Sequence, residues 1–151
     1  MSGDLSDRTM LLERVIRAPV SVVWGAWMNP KTLPQWWGPD GFSCRTSRID
    51  LREGGEWVFD MIGPDGMVFP NHHKYGVVRA EHRLEYTLHW GENGRKHADA
   101  WATFEPVAEG TKVTLGMVFV TAEEYENAKG FGAVELGQQT LGKLARFVGA
   151  E

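Results

Sequence analysis

The sequence lacks the features that mark several large classes of protein. Cys44 is its only cysteine, so no disulfide can form within the chain. No apolar run approaches the roughly 18 residues of a membrane-spanning helix, and residues 1–8 are polar, without the apolar segment of a secretory signal. No stretch of five basic residues occurs, and the net charge is −4. We therefore expect a cytoplasmic protein with no membrane span that binds no nucleic acid.

Signatures of catalysis and of metal binding are also missing. The chain has no Gly-x-Ser-x-Gly nucleophile motif and no glycine-rich phosphate loop. No two histidines stand four residues apart, and the adjacent His72 and His73 would point to opposite faces of a strand. The histidines, His72, His73, His82, His89 and His97, are interpreted as surface or loop residues. We predict no catalytic residue, no metal and no cofactor.

What the chain does contain is typical of one globular domain. A chain of 151 residues can bury about 70% of its unfolded surface, which suffices for one sizeable core. Residues 1–8 are interpreted as a disordered or frayed lead-in, and residues 9–151 as a single domain. Seven tryptophans against three tyrosines are a first indication of a groove or cavity, because tryptophan suits surfaces that are large, apolar and partly polar.

The first part of the chain predicts one strand followed by two short helices. Residues 9–17 alternate in the manner of a strand, which Pro19 ends. Apolar residues at helical spacing predict a helix over 20–28. Asn29 can cap a second short helix over about 31–37, with Pro30 at its first position.

From residue 42 to residue 120 the pattern changes to strands separated by tight turns. The turn signals are Glu53-Gly54-Gly55, Pro64-Asp65-Gly66, Glu92-Asn93-Gly94 and Glu109-Gly110. Strands joined by such short turns are antiparallel. A helical segment over 122–148 follows, interrupted at Gly130-Phe131-Gly132. The order predicts an α+β fold in which a curved antiparallel sheet surrounds a long C-terminal helix.

Alternation places a set of aromatic and sulfur-containing side chains on the concave side of this sheet. Four glycines in the helical segment, Gly130, Gly132, Gly137 and Gly142, fill little volume and favour a cavity between sheet and helix. We predict that an apolar ligand binds there. The predicted ligand-binding residues are Trp57, Phe59, Met61, Tyr86, Trp90, Phe104, Met117, Phe119, Glu135, Gln139 and Leu144.

Two carboxylates on predicted elements are of the residue type that acts as an acid or base. If Trp57, Phe59 and Met61 point inward, Asp60 points outward from the same strand. It is therefore interpreted as a surface residue. Glu135 lies near the start of the last helical half, where it either faces the cavity or complements the helix dipole. It is a candidate acid or base only if it is buried with a raised pKa.

A series of short motifs resembles the activator-of-heat-shock-protein-90-ATPase homologue-like branch of the START-like (SRPBCC) superfamily. The match runs through nearly the whole chain in order, although each motif alone is weak. The motifs are Arg14-Val15-Ile16-Arg17-Ala18-Pro19, Val23-Trp24-Gly25-Ala26-Trp27, Asn29-Pro30, Trp36-Trp37-Gly38-Pro39, Asp50-Leu51-Arg52-Glu53-Gly54-Gly55 with Trp57, Pro64-Asp65-Gly66, Arg83-Leu84 with Tyr86-Thr87, Glu109-Gly110-Thr111, and Gly132-Ala133-Val134-Glu135 with Gln139-Thr140-Leu141.

The resemblance implies the helix-grip fold of that superfamily, with two short helices after the first strand. It implies function only broadly, because similar proteins include lipid and hormone carriers and polyketide cyclases. Three functions therefore stay open: a binding protein for a small apolar or aromatic molecule, a cyclase- or hydrolase-type enzyme using the same cavity, and a co-chaperone module acting through its surface. The residues favour binding over catalysis and over a chaperone partner.

The expected assembly is a monomer or a weak dimer. The outward strand positions are polar, which favours a monomer. Trp36 and Trp37 are adjacent near the end of a predicted helix. If at least one of the two side chains is exposed, it could seed weak association between two copies of the chain.

Overall fold

The computed structural model describes residues 6–149. Residues 1–5 of the predicted lead-in and residues 150–151 of the predicted domain lie outside this part of the chain. The last residues of the lead-in, Ser6–Arg8, form one turn of 3-10 helix. Arg8 Nη1 donates a hydrogen bond to the Val120 carbonyl at 2.8 Å, so this turn is tied to the body of the domain.

The elements of the described chain follow the predicted order of strand, two helices, strands and helices. They are β1 Thr9–Ile16, α1 Val20–Trp27, α2 Leu33–Trp36, β2 Ser43–Asp50, β3 Glu56–Ile62, β4 Val68–Arg79, β5 Arg83–His89, β6 Lys96–Val107, β7 Gly110–Phe119, α3 Ala122–Gly130 and α4 Ala133–Phe147.

Within residues 6–149 the strands form one curved seven-stranded sheet in the order β1-β7-β6-β5-β4-β3-β2. Every neighbouring pair is antiparallel. Three of the four predicted turn motifs lie between two strands, and the fourth, Glu109-Gly110, ends on the first residue of β7. The fifth turn, between β4 and β5, carries no glycine, and Glu81 adopts a φ of 64° there. The predicted α+β helix-grip fold, with its long C-terminal helix, is confirmed.

Tryptophan side chains join the two short helices to each other. The Trp27 ring lies 5.1 Å from the Trp36 ring in an edge-to-face arrangement. Trp36 is 1% exposed, and its Nε1 donates to the Ala26 carbonyl at 3.0 Å. Trp37 is half-buried and contacts both rings. The tryptophan pair therefore contributes to the core, and its exposure no longer supports weak dimerisation.

The predicted interruption of the C-terminal helical segment separates α3 from α4. Gly132 adopts a left-handed φ of 79° at the junction, which glycine allows without steric cost. Leu141 and Leu144 of α4 are completely buried against the sheet, whereas Val134, near the start of the same helix, is exposed. None of the helices between residues 6 and 149 has the length and apolar character needed to cross a bilayer.

Removing the cap of α3 tests how firmly this helix is held. Thr121 Oγ1 accepts a hydrogen bond from the Glu124 backbone N–H at 3.1 Å. We expect Thr121→Ala to lower the free energy of unfolding by about 1 kcal/mol, because a free N–H is left at the helix start. Urea denaturation followed by circular dichroism measures the loss. Thr121→Ser should behave like the parent protein, and an equally stable alanine variant would contradict the role of the cap.

Candidate functional site

The middle of the concave sheet face is lined by small side chains. Ala98, Ala100 and Ala102 alternate along β6 and are all buried. They stand opposite larger residues of β7, with Ala100 paired to Met117 and Ala98 to Phe119. Because alanine ends at Cβ, this row leaves more room between the sheet and the helices than larger residues would.

His73 lies among aromatic rings on this face. Its ring centroid is 5.0 Å from Phe59, 5.4 Å from Trp57 and 5.5 Å from Trp37. Burial, with smaller contributions from neighbouring histidines, lowers the pKa of His73 to about 3. The imidazole is therefore neutral near pH 7.

Two tyrosines accompany His73, and we call His73, Tyr75 and Tyr86 the buried polar cluster. The Tyr86 ring lies 5.2 Å from His73 and 5.8 Å from its cross-strand partner Tyr75. Burial raises the pKa of both hydroxyls. No hydrogen bond within the described chain involves these three side chains, and their polar atoms are not among its fully buried unpartnered atoms. They are therefore open to water or to a polar group of a bound molecule.

An open pocket, which we call the apolar pocket, lies where α3 meets the concave face. Its volume is about 380 Å³, and its walls are almost entirely apolar. This volume lies within the range of small-molecule sites. Residues that line it include Trp90, His97, Met117, Phe119, Glu124 and Phe131. Leu88 and Met117 pack against both this region and the main core, so the pocket adjoins the interior of the sheet.

His97 brings a polar group to the wall of the apolar pocket. Its ring stacks on Trp90, with centroids 3.9 Å apart and planes 19° apart. Burial lowers the pKa of His97 to about 4, although the nearby Glu124 carboxylate opposes this shift. Nε2 of His97 and Oε2 of Glu124 are both buried without a hydrogen-bond partner in the described chain.

The predicted ligand-binding residues fall into three groups in the structure. Lining the apolar pocket are Trp90, Met117 and Phe119. Buried in the packed core are Trp57, Phe59, Tyr86, Phe104 and Leu144. Partly buried or exposed away from the pocket are Met61, Gln139 and Glu135. Three of the eleven predicted ligand-binding residues therefore meet at the apolar pocket.

Three of these residues lie differently from the geometry predicted for them. Trp90 follows the last residue of β5, so alternation does not carry it into the sheet, and it is 57% exposed at the pocket edge. Gln139 Oε1 accepts from the Asp40 backbone N–H at 3.1 Å and faces the loop after α2. Glu135 is exposed, so the burial required of an acid or base is not met.

Sequence reasoning missed several residues of the site. The interpretation of the histidines as surface or loop residues is wrong for His72, His73, His89 and His97, which are all buried. The burial of His73 could have been predicted from its spacing: His73 and Tyr75 are two residues apart, so they lie on the same face of a strand. Nothing in the sequence pattern indicated that Glu124 and Phe131 would meet the end of β7.

The buried histidines of the convex face hold a loop in place. His72 Nε2 donates to Glu56 Oε1 at 2.8 Å, while its Nδ1 accepts from the Asn93 backbone N–H at 3.1 Å. His89 Nδ1 donates to the Gly94 carbonyl at 3.0 Å. The hydrogen bond from His72 is the largest cause of the lowered pKa of Glu56. These contacts fix the turn between β5 and β6, so we interpret both histidines as structural.

The described residues contain no cluster of three or more His, Cys, Asp or Glu side chains that could hold a metal ion. Cys44 is half-buried, and burial raises the pKa of its thiol to about 12. A thiol with so high a pKa is a poor nucleophile near pH 7.

Comparison with known families gives a match over most of the chain. The profile of the family described as "Activator of Hsp90 ATPase homolog 1-like protein" matches residues 17–149. None of the curated proteins compared with the chain matches its sequence at a significant level.

Several solved structures share the fold. A protein from Nitrosomonas europaea is 28% identical, with a TM-score of 0.83 over 93% of this chain and 94% of the other. One from Mycobacterium smegmatis is 23% identical, with a TM-score of 0.85 over 97% and 94%. A protein from Aeromonas hydrophila, described as AHSA1-like, is 23% identical, with a TM-score of 0.73 over 94% and 92%. The last two likenesses concern the fold alone.

Proposed function

Because the chain belongs to the activator of Hsp90 ATPase homolog 1-like family, we propose that it binds a small apolar or aromatic molecule on the concave side of its sheet. The family and the fold support a module of the ligand-binding or co-chaperone type. The observation that favours a ligand is the apolar pocket between α3 and the sheet, of about 380 Å³. Pockets of this size and character, with few polar groups, are typical of small-molecule sites.

The neighbouring interior extends the argument beyond the pocket itself. Met117 lines the pocket and also packs against the main core. The alanine row of β6 and the buried polar cluster lie next to it in the sheet. A molecule seated in the apolar pocket would therefore contact Met117 of β7 directly, with Tyr86 two strands away on β5 and His73 three strands away on β4.

Binding is favoured over catalysis by the ionisation of the concave groups. A general acid or base works best when its pKa is near the working pH. Burial moves the pKa of His73 down to about 3 and raises the pKa of Tyr86, in both cases away from neutrality. These side chains are therefore hydrogen-bonding groups at pH 7, which suits recognition of a ligand better than proton transfer.

The convex face supports the co-chaperone alternative less well. Its central positions carry charged side chains such as Lys74, Glu85 and Asp99. Surfaces that dock other proteins usually expose a contiguous apolar patch instead.

Filling the apolar pocket tests the proposal. Ala128 lines it from α3, and Ala122 is exposed near the start of the same helix, away from the pocket. We expect naphthalene to quench tryptophan fluorescence saturably in the parent protein, because Trp90 lies at the pocket. Ala128→Phe should weaken this binding by about tenfold or more, since the added ring occupies the space.

The matched control is Ala122→Phe, which adds the same ring outside the pocket and should leave the affinity unchanged. Urea denaturation of both variants checks that the fold is retained. If the parent protein shows no saturable binding, or if both variants bind equally well, the apolar pocket is not the ligand site.

A further inference from the structure

The buried polar cluster of His73, Tyr75 and Tyr86 lies on the same concave sheet face as the apolar pocket. Each of the three residues is only 4% exposed. No hydrogen bond within the described chain involves their side chains, and their polar atoms are not among its fully buried unpartnered atoms. The little surface that these residues retain therefore includes polar atoms. Polar atoms in such a position are normally satisfied by ordered water or by a bound molecule.

The three side chains are neighbours, so a single ligand group can reach more than one of them. The Tyr86 ring lies 5.2 Å from the His73 ring and 5.8 Å from the Tyr75 ring, and the His73 and Tyr75 rings are 6.5 Å apart. Trp37 and Phe59 contact the His73 ring with their edges or faces. The cluster is thus a small polar area, with two hydroxyls and one imidazole, inside aromatic surroundings.

One row of paired residues connects this cluster with the apolar pocket. Met117 of the pocket wall pairs with Ala100, Ala100 pairs with Tyr86, and Tyr86 pairs with Tyr75. Neighbouring strands are about 4.8 Å apart, so Met117 and Tyr86 are separated by about 10 Å, with Ala100 between them. Because the side chain of alanine ends at Cβ, the sheet itself places little volume between the two larger residues.

Met117 is the side chain that separates the pocket from the cluster. Ala100 is 3% exposed, so its neighbours close over it. Met117 is half-buried and packs against both the pocket region and the main core. A methionine side chain is unbranched and flexible, so it can move aside at small cost. A molecule seated in the apolar pocket would then reach Tyr86 across Ala100.

The cluster suits an uncharged group better than a charged one. Burial lowers the pKa of His73 to about 3 and raises the pKa of both tyrosine hydroxyls, so all three side chains are neutral at pH 7. A carboxylate or an ammonium group placed beside them would lose its hydration without gaining an opposite charge, which is strongly unfavourable. A carbonyl or hydroxyl oxygen, by contrast, accepts readily from a tyrosine O–H.

Building on the proposed function, we propose that the ligand is an elongated apolar molecule whose inner end carries an uncharged polar group, a carbonyl or a hydroxyl. Its apolar part occupies the apolar pocket, and its chain passes Met117 and lies over Ala100. Its polar end hydrogen-bonds with the buried polar cluster. Ligand binding at the apolar pocket is the premise, to which this inference adds the length of the ligand and the chemistry of its inner end.

Two alkyl compounds of nearly equal length test the chemistry of the inner end. Decan-2-one ends in an uncharged carbonyl group, and decanoate ends in a carboxylate. We expect the full-length protein to bind decan-2-one about tenfold or more tightly than decanoate at pH 7, because only the carboxylate loses hydration of a charge at the cluster. Isothermal titration calorimetry gives both dissociation constants. A polar end that stayed in water at the pocket mouth would produce no such preference.

The hydroxyl of Tyr86 is tested by Tyr86→Phe, which keeps the ring. We expect this variant to bind decan-2-one about tenfold more weakly, as loss of one buried hydrogen bond allows. Its affinity for naphthalene, measured by tryptophan fluorescence, should not change, since naphthalene needs only the apolar pocket. Tyr125→Phe is the matched control, because it removes the hydroxyl of the third tyrosine, on α3, and should leave both affinities unchanged.

The passage over Ala100 is tested by Ala100→Val, which adds volume between Met117 and Tyr86. This variant should also lose about tenfold in affinity for decan-2-one while it still binds naphthalene. Ala108→Val, at an exposed position between β6 and β7, is its control. Urea denaturation checks that each variant is folded, and Tyr86→Phe provides the test if Ala100→Val does not fold.

The outcomes separate this inference from the proposed function. If decanoate binds as tightly as decan-2-one, or if decan-2-one does not bind while naphthalene does, the inference is overturned and ligand binding at the apolar pocket stands. An affinity for decan-2-one that is unchanged in Tyr86→Phe overturns it as well, because the polar end then lies elsewhere or water satisfies the cluster. If neither naphthalene nor decan-2-one binds, the proposed function falls, and the inference falls with it.

Discussion

Lowering the pH from 7 to 5 is expected to reduce the free energy of unfolding by about 2 kcal/mol through His73 alone. The pKa of His73 is about 3 in the folded protein, against an ordinary value of 6.5. Between these two values the unfolded chain binds a proton that the folded protein does not. Stability is therefore fully present above about pH 6.5 and is lost as the pH falls towards 3. His97, with a pKa of about 4, adds a loss of similar size in the same direction over this range.

Urea denaturation at several pH values between 5 and 7.5 measures this effect. His73→Phe retains a ring among Trp37, Trp57 and Phe59 but cannot titrate, so its stability should depend less on pH over this range. His82 is exposed, and His82→Gln should keep the parent pH dependence. Equal losses on acidification in the parent protein and in His73→Phe would contradict the assignment.

Trp27→Ala is expected to lower the free energy of unfolding by about 3–5 kcal/mol. Trp27 is 1% exposed and touches the rings of Trp36, Trp37 and Phe104, with the Phe104 centroid 5.4 Å away. One side chain thus joins α1 to α2 and to β6. Removing it leaves a large cavity at the point where these elements meet, and they cannot close over it without moving together.

Val22 provides the matched control, because it lies on the same helix and is exposed. Val22→Ala should change the stability by less than about 0.5 kcal/mol. Urea denaturation followed by tryptophan fluorescence, with circular dichroism as a second probe, compares the variants. A loss below about 1 kcal/mol for Trp27→Ala would show that the ring cluster is not a main support of the fold.

The sequence was sufficient for the fold because its local signals agree with the global arrangement. Glycine-containing turn motifs located four of the strand connections, and alternation assigned Trp57, Phe59 and Tyr86 to the buried face. The turn at Glu81 was not predicted, because the residue that adopts the positive φ there is not a glycine. Local signals of this kind report backbone conformation, which is why strands and turns were predicted well.

The site was predicted less well because it depends on contacts between distant segments. Met117 and Phe119 line the apolar pocket on the face to which alternation assigned them, but alternation was extended beyond the end of β5 to Trp90. The burial of His73 and His97 depends on which rings surround them after folding. The spacing between histidines bears on metal binding and does not predict burial. Helical periodicity gave no inward face for α3, so its contribution of Glu124 was not anticipated.

The loose attachment of α3 has a kinetic consequence. None of its residues is buried, and it is joined to α4 through the left-handed Gly132. Segments with few buried contacts open locally at a small fraction of the global unfolding free energy, and their amide hydrogens exchange with solvent correspondingly fast. Since α3 forms one wall of the apolar pocket, such opening would let a guest molecule enter and leave on the timescale of a subglobal fluctuation. The residence time of the guest would then be set by α3, whereas α4 and the sheet contribute most of the equilibrium stability of the domain.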